Sequence, residues 1–183
     1  MSEENDITLL RVQKELKPNI EDFISHVFEG EYWDNVLDFI AWMRENKMKP
    51  KWSGLRNAWN ANSKGKVLYY IRLGGFGDKY PDCNYPGRWV ITPYLVNMRN
   101  YEDKIFKEGL QDFIWEHISH CNICAQKCKD SKGKEKKMVL GKEFTEFGCA
   151  GDDCRIWVSK ADKATIGNLK KLLEWEKQAR NNK

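Results

Sequence analysis

Apolar residues recur at helical spacing in three long stretches of the chain. Between Tyr32 and Lys47 they lie three or four positions apart, which is typical of a helix with one face in the core. A second stretch runs from Asn100, a good capping residue, to Ile118, and a third runs from Asp162 to about Arg180. Weaker stripes at 7–16 and 20–28 precede them, and Gly30 is expected to end the second. The apolar positions of the first two long stretches are Trp33, Val36, Leu37, Ile40 and Met43, widened by Phe39 and Trp42, and Ile105, Phe106, Leu110, Phe113, Ile114 and Ile118.

Other stretches alternate between apolar and polar residues, which predicts strands. Leu55–Ala61 and Lys66–Leu73 flank the sequence Ser63-Lys64-Gly65-Lys66, whose turn chemistry predicts an antiparallel hairpin. Further strands are predicted at Arg88–Pro93 and Arg155–Val158, with a second hairpin around Gly141-Lys142.

The order of these elements decides the fold class. Helices come first and strands follow, and then come a helix, a cysteine-rich hairpin and a last helix, without the alternation of a doubly wound sheet. The pattern predicts an α+β fold, with an antiparallel sheet flanked by helices and a zinc-ribbon-like cysteine hairpin. A chain of 183 residues can bury a core, and we expect one α+β domain over 1–183 that contains a cysteine-rich metal-binding insert at 117–154.

Positive charge is concentrated in one segment. The chain has 31 basic and 27 acidic residues, which gives a net charge of +4. Lys127–Lys142 alone holds seven lysines against Asp130 and Glu135, so the rest of the chain is close to neutral. A solvated loop explains this segment, and nucleic-acid binding through Lys127–Lys142 is the alternative.

Composition and the N-terminal sequence indicate a compartment. The mean hydropathy of −0.72 argues against a membrane protein, and no apolar run follows a basic start, so no secretory signal is indicated. We therefore expect a cytoplasmic location. In a reducing compartment, six cysteines are more typical of metal binding or redox chemistry than of three disulfides.

The cysteine spacing is the strongest chemical signal. Cys121, Cys124 and Cys128 follow one another closely, and Cys149 and Cys154 come later. Two thiolates three residues apart on a tight turn can bind one ion, and a tetrahedral zinc site needs about four such donors. The predicted ligands of a structural zinc ion are Cys121, Cys124, Cys128 and Cys149, with Cys154 or His120 as alternates for the fourth position.

Two other interpretations use the same cysteines. An iron–sulfur cluster also takes four thiolates, although Cys-x2-Cys-x3-Cys is not the usual ferredoxin spacing. A redox dithiol at Cys121 and Cys124 is the other, although no βαβ pattern surrounds it. His117 is interpreted as a helix-end residue. The sequence shows no Ser-His-Asp order and no His-Glu-x-x-His motif, and since dispersed active sites leave no motif, the question of enzymatic activity stays open.

Aromatic and arginine residues concentrate in the predicted strands. Trp59, Tyr69, Arg72, Arg88 and Trp89 together would suit a planar or anionic small ligand. An aromatic core with arginines on the solvent face explains the same residues. The wider aromatic set includes Trp52, Tyr70 and Tyr94. We expect a zinc-binding module that recognises a small ligand or a partner protein.

Three stretches also resemble a known group of proteins. They are Lys64-Gly65-Lys66-Val67-Leu68-Tyr69-Tyr70-Ile71-Arg72-Leu73, Trp89-Val90-Ile91-Thr92-Pro93, and the cysteine cluster with Gly141-Lys142-Glu143-Phe144. Over about residues 36–150 the chain resembles small bacterial proteins that share a KGKxxxYIxL hairpin and a C-terminal cysteine cluster and have no established activity. The resemblance implies a cytoplasmic location and a metal site, and it implies no reaction.

Overall fold

A computed structural model describes residues 11–24, 28–55, 57–73, 89–118, 137–144 and 154–182. Residues 11–16 form helix α1. The other helices are α2 (Glu21–Ile24), α3 (Gly30–Glu45), α4 (Glu102–Lys107), α5 (Gln111–Glu116) and α6 (Lys163–Asn181), and a 3-10 helix, Met98–Tyr101, precedes α4. The strands are β1 (Lys51–Trp52), β2 (Ala58–Ser63), β3 (Lys66–Leu73), β4 (Trp89–Leu95), β5 (Lys137–Val139), β6 (Lys142–Phe144) and β7 (Cys154–Arg155).

The strands confirm the predicted α+β fold with an antiparallel sheet. Five of them form one sheet in the order β1-β2-β3-β4-β7, in which every neighbouring pair is antiparallel, and β5 pairs with β6 separately. The β2–β3 turn falls on Lys64-Gly65, whose φ angles are 52° and 75°. Two consecutive positive φ angles define the type I′ turn that suits a two-residue hairpin.

One face of the sheet forms the core. Trp59, Ile71 and Ile91 lie opposite one another in the register of β2, β3 and β4 and are fully buried. Their side chains belong to one apolar cluster with residues of α3 and α6, so these two helices cover this face. Cross-strand partners share one face of a sheet and successive residues of a strand point to opposite faces. Buried and less buried residues therefore alternate along these strands.

Helix α3 differs from the prediction at its first turn. Gly30 begins this helix rather than ending the preceding one. Val36, Phe39, Ile40 and Met43 are buried, whereas Trp33 is 38% exposed. The buried residues have the spacing of one helical face. In the first turn of the helix, where Trp33 lies, this face is only partly covered by the rest of the protein.

The helix predicted after Asn100 is interrupted. Gly109 has a φ of 65°, and the Leu110 and Gly109 amides donate to the carbonyls of Ile105 and Phe106 at 3.0 and 3.2 Å. These two bonds are those of a Schellman motif, which ends α4 before α5 starts. Phe106, in the last turn of α4, is exposed, contrary to its place in the predicted apolar stripe.

The C-terminal part follows the sequence closely. Asp162 caps α6, and its side chain accepts from the Thr165 amide at 2.9 Å. The second hairpin is present, with its turn on Leu140-Gly141, one residue before the predicted position. The predicted last strand is represented by β7 and by single bridges at Ile156 and Val158.

Candidate functional site

Of the predicted metal ligands, the structure describes only one, and that one by its backbone. Cys121, Cys124, Cys128, Cys149 and the alternate His120 lie outside the described residues. Cys154 is described by its backbone, in β7. Across ranges 11–24, 28–55, 57–73, 89–118, 137–144 and 154–182, no three His, Cys, Asp or Glu side chains converge as a metal site would require.

The two ends of the cysteine-rich insert meet beside the sheet. Ile118 and Ile156 form an antiparallel bridge, and the Trp157 amide donates to the His117 carbonyl at 2.7 Å. Both isoleucine side chains are buried. The residues that flank the segment 119–153 are therefore paired with each other, and β7 joins the sheet beside them by pairing with Leu95 of β4.

The hairpin within the insert is attached to α5. Trp115 Nε1 donates to the Val139 carbonyl at 2.9 Å, and Lys142 Nζ lies 5.1 Å from the Trp115 ring centroid. The same ammonium lies 5.5 Å from the ring centroid of Phe144. A cation between two aromatic rings stabilises this contact, so the hairpin has a fixed place on the domain.

Three of the predicted ligand-binding residues lie in the core. Trp59 and Tyr69 are 0% exposed and Trp89 is 2% exposed. Their polar atoms donate to the main-chain carbonyls of Pro18, Met48 and Ser159. Burial raises the pKa of Tyr69, which keeps its phenol neutral. This placement favours the aromatic-core interpretation for these three residues, while Arg88 lies outside the described residues.

Arg72 lies on the opposite face of the sheet, because it is two residues from Tyr70 in β3 and alternate residues of a strand share a face. In the strand register Tyr70 lies opposite Thr92, and Tyr94 lies opposite Arg155. These side chains are half-buried, unlike their fully buried neighbours of opposite parity. We call this surface the outer sheet face. Its half-buried residues are Asn60, Tyr70, Arg72, Thr92, Tyr94 and Arg155, and the buried residues Ala58 and Val90 lie on either side of Arg72 on the same face.

Two neighbouring tyrosine rings, flanked by two arginines, cross the outer sheet face. The Arg72 guanidinium lies 5.9 Å from the Tyr70 ring centroid, and the Tyr70 and Tyr94 centroids are also 5.9 Å apart. The Arg155 guanidinium lies 4.2 Å from the Tyr94 centroid. These distances are within the range of cation–π and aromatic contacts, so one row of four side chains crosses β3, β4 and β7.

Arg155 has an unusual status within this row. Its Nε is shielded from solvent and has no hydrogen-bond partner, and its guanidinium makes neither a hydrogen bond nor an ion pair with any residue that the structure describes. A shielded N–H without an acceptor is destabilising by about 1–3 kcal/mol. A half-buried cation with free donors is therefore a candidate for binding an anion.

No protein-family model, curated protein or solved structure matches this chain. The case for its function therefore rests on its own residues. None of the helices in the described part of the chain is long and apolar enough to cross a membrane.

A buried ion pair supports the outer sheet face from behind. Arg180 Nε donates to Glu176 Oε1 at 2.8 Å, and Arg180 Nη2 donates to the Tyr94 carbonyl at 2.9 Å. The Glu176 carboxylate also accepts from the Asn97 amide at 3.0 Å and from the Tyr101 hydroxyl at 2.9 Å. The strand that carries Tyr94 is thereby tied to α6 through polar contacts as well as through packing.

Sequence reasoning missed Arg155, Glu176 and Arg180. A signal existed for Glu176, because it follows Leu169, Leu172 and Leu173 at helical spacing and so lies on the apolar face of α6. Arg155 has no such local signal, since its importance depends on its cross-strand neighbour Tyr94.

Proposed function

We propose that the chain is a zinc-binding α+β module in which a structural zinc ion fixes the cysteine-rich insert to the sheet, and the sheet recognises a small ligand. The ligands would be Cys121, Cys124, Cys128 and Cys149, with Cys154 or His120 as alternates. The observation that carries the proposal is the pairing of Ile118 with Ile156, which brings together the two ends of the segment that holds these cysteines.

Chain length supports a shared site near this junction. Cys121 follows Ile118 by three residues, and Cys154 precedes Ile156 by two. Each residue advances the chain by at most about 3.6 Å. The chain can therefore place Cys121 no more than about 11 Å from Ile118, and Cys154 is nearer still to Ile156.

The inner hairpin adds a third fixed point. Its β6 strand ends at Phe144, and Cys149 follows five residues later. The Trp115–Val139 hydrogen bond holds this hairpin on α5, so the hairpin that precedes Cys149 lies beside the helix that precedes Cys121. A four-thiolate site takes its ligands from separate parts of the chain, so it needs the segments that carry them to be held close together.

Zinc would act here by ordering the chain. Four thiolates complete a tetrahedral site and leave no open position for a substrate, which is typical of a structural ion. The free energy of metal binding then contributes to folding. Its local effect would fall on β7, which has only two residues and which includes Arg155.

Paired cysteine variants test the proposal. Cys124→Ser is expected to lose most of the bound zinc and to unfold at a lower temperature, because one ligand of a closed site is missing. Cys83→Ser is the matched control, since Cys83 lies far from the cysteine series in sequence and is expected to keep the metal. Zinc is measured by elemental analysis and stability by thermal unfolding.

The results separate the alternatives. Equal zinc content in Cys124→Ser and Cys83→Ser would contradict the ligand assignment. Iron together with inorganic sulfide in the native protein would replace the zinc proposal with the iron–sulfur alternative.

A further inference from the structure

We propose that the outer sheet face is a binding site for a small aromatic anion, whose carboxylate or phosphate group binds Arg155. This inference deepens the recognition part of the proposed function. It does not depend on zinc being the bound metal.

The arginines of the protein show why Arg155 stands out. Arg44 donates from Nε and Nη2 to the two carboxylate oxygens of Glu21, each at 2.8 Å. Arg180 is satisfied by Glu176 and by main-chain carbonyls. Arg155 has neither kind of partner among the described residues, although it too is partly removed from water. An anion would supply the missing acceptor.

The geometry at Arg155 prepares it for such an acceptor. Its guanidinium carbon lies 4.2 Å from the Tyr94 ring centroid, so the ring holds the guanidinium in place while its Nε lacks an acceptor. Guanidinium N–H groups match the two oxygens of a carboxylate or phosphate in a bidentate arrangement. A side chain held by a cation–π contact loses less conformational freedom on binding.

The neighbouring positions define the rest of the ligand. The Tyr70 ring, 5.9 Å from Tyr94 and tilted by 53°, offers an aromatic surface beside the anion site. Thr92 lies opposite Tyr70 and adds a hydroxyl on the same face. A planar ring attached to the acidic group would contact both tyrosines, which favours an aromatic carboxylate or aryl phosphate over a free inorganic ion.

The backbone under this site is rigidly supported. Tyr94 receives the Arg180 hydrogen bond on its carbonyl, and Arg180 is locked by Glu176. Binding therefore needs little rearrangement of the strand, and the expected effect of a ligand is ordering of the Arg155 side chain.

Titration calorimetry with the intact protein tests the proposal, using phenyl phosphate, benzoate and inorganic phosphate as probes. Phenyl phosphate or benzoate is expected to bind at least about tenfold more tightly than inorganic phosphate, because only these probes contact the tyrosines. The tighter of the two identifies the acidic group. Arg155→Gln is expected to weaken that probe by about tenfold or more, and Arg155→Lys to restore only part of the loss, since lysine keeps the charge without the fork.

Arg99→Gln is the matched control, because Arg99 is an exposed arginine outside the outer sheet face. It is expected to bind the probes like the native protein. Circular dichroism of each variant checks that the fold is kept. The native titration needs no variant, so failure of all three probes to bind would overturn the proposal directly.

Other outcomes also decide it. Equal binding by native protein and folded Arg155→Gln would overturn the assignment to Arg155. Tight, salt-sensitive binding of a single-stranded oligonucleotide without binding of the small probes would overturn it in favour of nucleic acid. Probe binding by a native protein that contains no zinc would contradict the zinc proposal and leave this site standing, whereas zinc without probe binding would do the reverse.

Discussion

Glu176 and Arg180 form an ion pair inside the protein, with 2.8 Å between Glu176 Oε1 and Arg180 Nε. They lie one helical turn apart on α6, and both side chains are buried. The pair bridges three elements, because Arg180 also donates to the carbonyls of Val67 in β3 and Tyr94 in β4. It fixes the last helix on the sheet that carries the proposed binding face.

Removal of Arg180 should destabilise the protein strongly. Arg180→Met leaves the Glu176 carboxylate buried without its counter-ion, and it also removes the donors of three main-chain carbonyls. We expect a loss of about 3–5 kcal/mol in the free energy of unfolding, measured by urea denaturation.

A surface pair provides the control for this prediction. Lys171 binds the exposed Glu108 at 2.7 Å, and Lys171→Met should change stability little, since exposed ion pairs are screened by water. Similar effects of Lys171→Met and Arg180→Met would contradict the structural role assigned to the buried pair.

The N-cap of α6 should make stability depend on pH. The Thr165 amide, bonded to the Asp162 carboxylate, holds the pKa of Asp162 below its usual value. A group with a lowered folded-state pKa stabilises the protein above its unfolded-state pKa, and this contribution is lost as the pH falls through the folded-state value. Asp162→Ala should lower stability by about 1 kcal/mol at pH 7, and the difference from native protein should shrink in acid.

Asp162→Asn separates capping from charge. Asparagine caps helices about as well as aspartate, so this variant should stay close to native stability at pH 7. Because it has no carboxylate to protonate, it should not share the acid-dependent part of the change. Thermal unfolding between pH 7 and pH 2 measures both effects, and an Asp162→Ala deficit that stays constant in acid would contradict the assignment.

Two helix ends with the same motif should respond in opposite ways to substitution. Lys47 ends α3 with a φ of 56°, and its amide and that of Met48 donate to the carbonyls of Arg44 and Met43, as in the Schellman motif at Gly109. Lys47→Gly relieves the left-handed strain and should stabilise by up to about 1 kcal/mol. Gly109→Ala introduces such strain, at a φ of 65°, and should destabilise by about 1 kcal/mol. Chemical denaturation of both variants checks the sign, and equal signs would contradict the motif assignment.

Local chemistry explains which elements were predictable from sequence. The Lys64-Gly65 turn, the apolar stripe of α3 and the Asp162 cap each depend on residues close together in the chain. The break at Gly109 was not predicted, because Phe106, Leu110 and Ile114 keep a four-residue helical spacing across it. A single glycine within such a pattern is compatible with a continuous helix, so the pattern alone did not indicate the end of α4.

The candidate site was only partly predictable, because it depends on which side of a strand meets the core. Tyr69 and Tyr70 are adjacent in sequence, yet one is buried and the other faces outward. The parity that Tyr69 shares with Ile71 was a usable signal for its burial. Nothing local links Arg155 to Tyr94, since they meet only through the pairing of β4 with β7.

The metal content of freshly purified native protein tests the central claim most directly. Elemental analysis should find one zinc ion per chain, and the solution should lack absorption in the visible range, because zinc thiolate sites are colourless. Purification without chelators and under reducing conditions keeps the cysteine thiolates able to bind a metal ion. Under those conditions, a preparation without zinc, or one containing iron and inorganic sulfide with a brown colour, would contradict the account.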